Sequence, residues 1–226
     1  MFIYDLHVHS KGGSACGISS VEDMIKRYEE IGVTGFALTN HFLHGNTGVD
    51  RSLSWQEYVK EYARSYYEAL DIAQKLDFDL LFGIEEGYGG AKEILVYGIC
   101  PELLIANPQL KTKDIAVWSE FVRENDGFIA YAHPFRVRDY IPDPYAMPDL
   151  SFVDGIEIYN HGNSFEDNEL AVTTFKTSGK VFIAGGDKHS TNFSQTYGIR
   201  TNQRLKTTEQ LAAALKNNQF ELYLGE

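Results

Sequence analysis

Five of the chain's seven histidines stand where metal ligands would be expected. His7-Val8-His9 ends a short apolar run, and residues two apart on a strand point the same way, so both imidazoles can approach one ion. His41 follows Thr39-Asn40, His133 sits in Ala132-His133-Pro134, and His189 closes Gly185-Gly186-Asp187-Lys188-His189. The two glycines there are expected to let the backbone turn sharply behind Asp187 and His189. Glu85 lies in the run Gly83-Ile84-Glu85-Glu86-Gly87. A carboxylate there is costly to bury unless it is paired or coordinated. Glu85 is therefore expected to face inward and bridge two ions, with Glu86 turned away. The mixture of imidazole and carboxylate suits Zn²⁺, Mn²⁺ or Fe²⁺ better than Ca²⁺ or Mg²⁺. His7, His9, His41, Glu85, His133, Asp187 and His189 together exceed the four ligands of one tetrahedral ion. They imply a cluster, and two ions bridged by a carboxylate and a hydroxide form a clamp for in-line displacement at phosphorus.

The elements that would bring these residues together alternate between short apolar runs and helical segments, the pattern of β/α units and a largely parallel sheet. Strands are expected at Phe2–His7, Gly35–Thr39, Leu80–Glu85, Ile94–Ile99, Phe128–His133, Val153–Tyr159 and Val181–Gly185, with short strands near Tyr197–Arg200 and Phe220–Tyr223. Ser20 reads as an N-cap with Glu22 and Asp23 in the first turn, opening a helix that ends near Gly32. Further helices are expected over Ser54–Leu76, Thr112–Asn125, Glu166–Ser178 and Thr207–Asn217. His7, His41, Glu85, His133, Asn160 and Asp187 all fall at or just beyond C-terminal strand ends, the rim on which β/α barrels build their sites. No histidine falls on an expected helix; His44 and His161 lie in rim loops, as candidate substrate contacts or supports for the ligands.

Taken in order, Asp5–Ser10 (D-L-H-V-H-S), Thr39–His41 (T-N-H), Gly83–Glu85 (G-I-E), Ala132–Pro134 (A-H-P) and Gly185–His189 (G-G-D-K-H) resemble the motifs of the polymerase-and-histidinol-phosphatase (PHP) family. The resemblance implies an α/β fold, a distorted barrel of seven β/α units, and two or three divalent ions at the C-terminal rim of the strands. It also implies phosphoester hydrolysis, as a phosphatase or a phosphodiesterase. Carried across, His7, His9, Glu85 and Asp187 would hold one ion, Glu85 and His133 a second, and His41 with His189 a third. Two ligand positions depart from the family pattern. Cys16 stands where an Asp or His is usual before the first helix, and a thiolate can bind zinc. Glu93 stands where a strand-four histidine is usual, and it could coordinate through its carboxylate. Asn40 replaces an aspartate and is expected behind the ligands.

The expected chemistry is attack on a small phosphomonoester by a metal-bridging hydroxide. Asp187 or a rim histidine such as His189 would donate a proton to the leaving group. Arg136 offers a planar fork to a phosphate oxygen, whereas Lys188, between two ligands, is expected to point away. The loops Phe42–Leu53 and Arg138–Pro148 are expected to shape specificity, and Tyr140 and Tyr145 could stack on a ring. Two rival readings are a non-catalytic PHP-like barrel that retains metal as a binding module, and an amidohydrolase-like enzyme cleaving C–N bonds. The latter usually has a metal-bridging lysine on a middle strand, and no strand-end lysine fills that place.

The 226 residues and 43% hydrophobic content fit one barrel domain spanning residues 1–226. No apolar stretch is long enough for a membrane helix, and the N-terminus has no signal-peptide pattern. With two cysteines that cannot make a disulfide framework, a cytoplasmic location is expected. The net charge of −12 leads to the expectation of a small phosphorylated substrate, with no long nucleic acid and no membrane as partner. Oligomeric state is not legible.

Overall fold

The computed structural model describes residues 1–225. The first three apolar runs form β1 (Phe2–Val8), β2 (Gly35–Leu38) and β3 (Asp79–Gly89), paired in parallel with Tyr4 opposite Gly35 and Gly35 opposite Asp79. They are buried over most of their length, as strands covered by helices must be. The crossovers are α1 (Val21–Glu30) and α2 (Trp55–Lys75). Ser20 caps α1 by accepting from the Asp23 N–H, and Ser54 with Glu57 makes a reciprocal capping box on α2.

β4 (Lys92–Tyr97) departs from the expected repeat of parallel β/α units. Gly89, Gly90 and Ala91, all at positive φ, turn the chain straight back from β3, whereas a parallel crossover needs about a dozen residues or more. β4 therefore pairs antiparallel with β3 and, on its other edge, with β5 (Phe128–Tyr131). This reversal brings the start of β4, and Glu93 with it, to the rim where the other strands end. Between β4 and β5 lie α3 (Pro101–Ala106), a short helix absent from the sequence expectation, and α4 (Ile115–Glu124). β6 (Gly155–Asn160), α5 (Phe165–Phe175) and β7 (Val181–Gly185) restore parallel pairing.

The described strands form one nine-stranded sheet in the order β7-β6-β5-β4-β3-β2-β1-β8-β9, completed by β8 (Gly198–Thr201) and β9 (Glu221–Tyr223). β8 pairs antiparallel with Phe2–Tyr4 and leaves the far end of β1 open to the segment after β7. There Val8 and Lys188 form a parallel bridge; the His9 N–H donates to the Lys188 carbonyl at 2.8 Å and the Asp187 N–H to the His7 carbonyl at 2.7 Å. That bridge curls the sheet into a barrel and carries Asp187 and His189 to the histidines of β1.

Tyr4, Leu6, Ala37, Leu81, Leu95, Tyr97, Ala130 and Ile183 share an apolar cluster with Leu211 and Leu215 of α6 (Thr208–Lys216). This cluster fills the barrel at the end opposite the histidines. A second core joins α2, α4 and α5 to the sheet through Phe42, Tyr62, Phe82, Trp118, Ile129 and Phe175. No described helix is long and apolar enough to cross a membrane.

Candidate metal centre

Glu85, fully buried on β3, stands among four imidazoles. Its Oε1 lies 3.1 Å from His7 Nε2 and 2.9 Å from His133 Nε2; its Oε2 lies 2.8 Å from His41 Nδ1 and 3.3 Å from His9 Nε2. Asp187 Oδ1 is 3.2 Å from His9 Nε2 and 3.6 Å from His7 Nε2. Glu93 Oε1 is 3.1 Å from His41 Nδ1, and its Oε2 is 3.7 Å from His133 Nε2. His189 completes the set, its ring stacked on His9 with centroids 4.3 Å apart. Donor atoms within 4.8 Å of one another group as His7/His9/Glu85, His7/His133/Glu157, His41/Glu85/Glu93 and His9/His41/His189. His7, His9 and Glu85 thus meet, as do His41 and His189, whereas His133 groups with Glu157 and Asp187 enters no group.

The hydrogen bonds behind the rings decide which nitrogens face inward. His7 Nδ1 lies 3.0 Å from the Glu157 carboxylate, and His189 Nδ1 lies 2.9 Å from the Asp187 carbonyl. Both oxygens only accept, so both Nδ1 atoms carry the proton. Ser14 Oγ donates to Asn40 Oδ1 at 2.9 Å and accepts from the His41 backbone N–H at 2.9 Å. Its remaining lone pair takes the Nδ1–H of His9 at 2.9 Å. With Nδ1 protonated on both rings, His7 Nε2 and His9 Nε2 meet at 3.0 Å. In the metal-free protein a proton on His7 Nε2 bridges them, and a cation would take that proton's place between the two lone pairs. His41 Nδ1 and Glu85 Oε2, both buried, have no hydrogen-bond partner despite their 2.8 Å separation. Buried polar atoms that lack a hydrogen-bond partner and lie among imidazole nitrogens are what a divalent ion would satisfy. The donor set therefore fits divalent metal.

The charges are consistent with this. Burial pulls the His7 pKa down, but Glu157, Glu85 and Asp187 carry it well above the usual histidine value. Burial also opposes the charged form of His41, which Glu85 nonetheless raises well above that value. Burial and repulsion from His41 push His9 down to about 3. Glu85 and Asp187 are raised by burial, yet each ends well below the carboxylate range, Glu85 through His7 and His41 and Asp187 through Arg136 and His7. An ionised Asp187 accepts protons rather than donating them. In Cys16, burial is outweighed by hydrogen bonds to His189 and His41, which bring the thiol down to about 6.

Two of these residues sit in backbone conformations rare for side-chain-bearing residues: His133 at φ 28° and Asp187 at φ 52°. Such strain collects where a site over-determines the backbone. The His133 N–H donates to Glu157 Oε2 at 2.9 Å. The role expected for the two glycines needs correction, because neither Gly185 nor Gly186 has a positive φ. Both are there for space. A Cβ on Gly185 would collide with His7 and Glu157, and one on Gly186 with the side chains of Asp5 and Thr196. Buried Asp5 accepts from the His7 and Gly186 N–H groups, at 2.9 and 2.8 Å, as well as from Tyr28 and Thr196, tying β1 to the segment after β7.

A cleft of about 700 Å³ opens onto the cluster, lined by Cys16, His41, Glu93, Arg136, Asp187 and His189, with Arg138 and Tyr140 on its wall. Arg136 is nearly buried. Its Nη2 binds Asp187 Oδ2 and Asn160 Oδ1, and its Nε donates to Asn163 Oδ1 at 2.8 Å. Lys188 turns away to His161 Nδ1 at 2.8 Å, and His44 pairs with buried Glu86 at 2.8 Å. Glu86 thus faces away from the cluster but is fully buried. Asn40 sits behind His9 through Ser14, as the motif led one to expect. Sequence reasoning missed Glu157. Its two oxygens are taken by His7 Nδ1–H, the His133 N–H and Asn160 Nδ2, so it orients His7 and His133, the two histidines with which its carboxylate also groups. The signal was present, since Glu157 is a carboxylate inside the apolar run Gly155–Tyr159, the same anomaly that singled out Glu85.

The sequence matches no protein-family model and no curated protein. Solved structures do match. A two-domain Bacteroides vulgatus protein containing a predicted PHP-like metal-dependent phosphoesterase superposes with a TM-score of 0.71 at 17% identity, covering 99% of this chain and 65% of that one. A Bifidobacterium adolescentis candidate metal-dependent phosphoesterase gives 0.59 at 12% identity, over 94% and 95% of the two chains. The fold is that of the PHP-like phosphoesterases. The lesion-specific endonuclease Q of Pyrococcus furiosus shares it too, with a TM-score of 0.61 at 13% identity over 98% of this chain and 57% of that one. The present chain thus spans less than two thirds of both the Bacteroides and the Pyrococcus proteins. A second endonuclease Q structure holds a 27-mer duplex with an abasic lesion at its active site. That overturns the exclusion of long nucleic acid drawn from net charge. The same fold accommodates a duplex, and overall charge does not describe the field inside a site that binds cations.

Proposed function

We propose that this chain is a metal-dependent phosphoester hydrolase, and that its substrate carries a terminal phosphomonoester. The observation that carries the reading is the convergence of His7 Nε2 and His9 Nε2, 3.0 Å apart, on the carboxylates of Glu85 and Asp187. Divalent ions held by His7, His9, His41, Glu85, Glu93, His133, Asp187 and His189 would supply Lewis acidity at phosphoryl oxygens and a water of lowered pKa. Glu157 and Ser14 hold His7 and His9 in the tautomer that presents Nε2. Arg136 braces Asp187 Oδ2 while Asp187 Oδ1 faces the cluster. Nη1 of Arg136 has no protein acceptor among the described residues, which leaves its protons for a non-bridging phosphate oxygen at the cleft. A terminal phosphate carries more negative charge than a diester and draws more from a site with both an arginine and several cations.

The test is a substrate panel at fixed Mn²⁺ or Zn²⁺: phosphomonoesters, phosphodiesters and a duplex with an abasic site, each with the native chain and with Arg136→Met. The reading predicts phosphate release chiefly from monoesters, and a loss in Arg136→Met of about 1.5–3 kcal/mol in transition-state stabilisation. Cleavage confined to diesters or to the abasic duplex would leave the metal chemistry standing and refute the monoester.

A further inference from the structure

Glu85 and Glu86 follow one another on β3, and each holds a histidine from the loop after β2. Glu85 Oε2 lies 2.8 Å from His41 Nδ1 inside the cluster. Glu86 faces the other way, and its Oε1 accepts from the His44 backbone N–H at 2.9 Å and from His44 Nδ1–H at 2.8 Å. Its Oε2, fully buried, has no hydrogen-bond partner. His44 is thus the one residue this costly buried carboxylate serves among those described. The turn that carries His44 is fixed from two further directions. Arg51 Nε donates to the Leu43 carbonyl at 2.9 Å and its Nη2 to the Gly45 carbonyl at 2.7 Å. A Cβ on Gly87 would collide with the His44 carbonyl. The ring lines the cleft together with Arg136 and Glu93. Its Nε2 has no protein partner among the described residues, and His44 enters none of the ligand groups. It also borders a hollow of about 450 Å³ with Leu43, Arg51, Lys111 and Lys113, so it stands at an edge of the cleft, where a leaving group can project. The proton donors first expected are otherwise engaged. Asp187 spends Oδ2 on Arg136 and turns Oδ1 to His9, and His189 stacks on His9 among the ligand atoms.

We propose that His44 gives the leaving oxygen its proton through Nε2, and that Glu86 is the positioning residue that holds the ring for this task. The inference rests on the phosphoesterase reading. A carboxylate fixed behind one imidazole nitrogen, with the other nitrogen turned to substrate, is the pairing that serves proton transfer in hydrolases of several folds. The bond between phosphorus and the leaving oxygen breaks, that oxygen takes the Nε2 proton, and a water oxygen bonds to phosphorus. The proton the water sheds restores the ring. Such a donor matters most for a phosphate carried on an aliphatic alcohol, whose alkoxide leaves poorly without a proton. It matters little for a phenol that departs as a stable anion. The substrate class that fits is therefore a phosphorylated aliphatic alcohol or sugar.

The experiment compares two esters, propyl phosphate and 4-nitrophenyl phosphate, in the Mn²⁺- or Zn²⁺-loaded protein. The ratio of kcat/KM for the aryl ester to that for the alkyl ester is read in the native chain, His44→Gln and His44→Ala. Loss of a proton donor should raise that ratio about 10²–10⁴-fold, because the alkyl ester suffers far more. Elemental analysis should find as many ions in both variants as in the native chain. Glu86→Ala should shift the ratio in the same direction, with Glu86→Gln, whose amide oxygen can still accept from His44, between it and the native chain. Equal losses on the two esters, or a native ratio in His44→Gln, would overturn the assignment, since a structural role does not distinguish leaving groups. Fewer ions bound in His44→Gln would make His44 a ligand and overturn it too. A native ratio in Glu86→Ala would refute the positioning role. His44→Gln guards against an alanine variant that fails to fold. A native chain that hydrolyses both esters, with a ratio His44 does not move, keeps the phosphoesterase reading and loses this inference. A native chain that hydrolyses neither loses both.

Discussion

At the scale of single residues, the centre works through protonation. In the metal-free protein His7 and His41 are held well above the ordinary histidine pKa, against burial, by Glu157 and Glu85 respectively, and His189 is raised as well. The raised pKa values favour the protonated rings, and an ion can bind only by displacing those protons. The sign follows: lowering the pH fills the nitrogen lone pairs with protons, so metal affinity falls with acidification and recovers as pH rises. Calorimetric titration with Zn²⁺ between about pH 6 and about pH 8, in buffers of different ionisation heat, should show net proton release and weaker binding at the acid end. Affinity independent of pH with no protons released would refute this account of the cluster. The clustered histidines and Glu85 were legible as candidates because histidine and carboxylate are anomalous at the ends of apolar strands. Ser14 was not. Nothing marks one serine in Lys11–Ser19 until the fold brings it between His9 and Asn40.

At the scale of elements, close approach and loop anchoring govern the site. Gly186 lies against Asp5 and Thr196 with no room for a methyl group, and Asp5 is the tie between β1 and the end of β7. Gly186→Ala should therefore destabilise the fold by about 1–3 kcal/mol, as overpacking does; urea unfolding within about 0.5 kcal/mol of the native chain would show that the contact relaxes. A second device is Lys92, nearly buried at the start of β4. Its ammonium donates to the carbonyls of Pro134 and Pro144 and so pins both ends of the loop that carries Arg136, Arg138 and Tyr140. Lys92→Met removes charge-assisted bonds of about 1.5–3 kcal/mol each. It should speed amide hydrogen exchange across residues 134–148 while leaving β1 to β3 protected, and unchanged exchange there would exclude the clamp. Most elements could be read from sequence: the caps at Ser20 and Ser54 and the seven apolar runs all correspond to observed elements. The direction of β4 could not, because an apolar run reads the same either way. Only the tight Gly89-Gly90-Ala91 connection told against a crossover.

At the scale of the whole molecule, a nine-stranded sheet closed by the Val8–Lys188 bridge gathers residues from position 7 to position 189 around one carboxylate. Their order along the chain was readable as a motif set, whereas the closure that joins β1 to the segment after β7 is a long-range pairing with no local signature. The exclusion of long nucleic acid from total charge did not hold, since an acidic surface says little about a cleft whose inner wall gathers metal-ligating side chains and whose mouth holds Arg136 and Arg138. The account stands or falls on whether the cluster around Glu85 is a metal centre that hydrolyses phosphoesters. The direct measurement is phosphate release by chelator-stripped protein before and after Mn²⁺ or Zn²⁺ is restored, with Glu85→Ala alongside. The account predicts no turnover when stripped, recovery on adding metal, and none in Glu85→Ala at any metal concentration. Turnover that persists after stripping, or that Glu85→Ala matches, would contradict it.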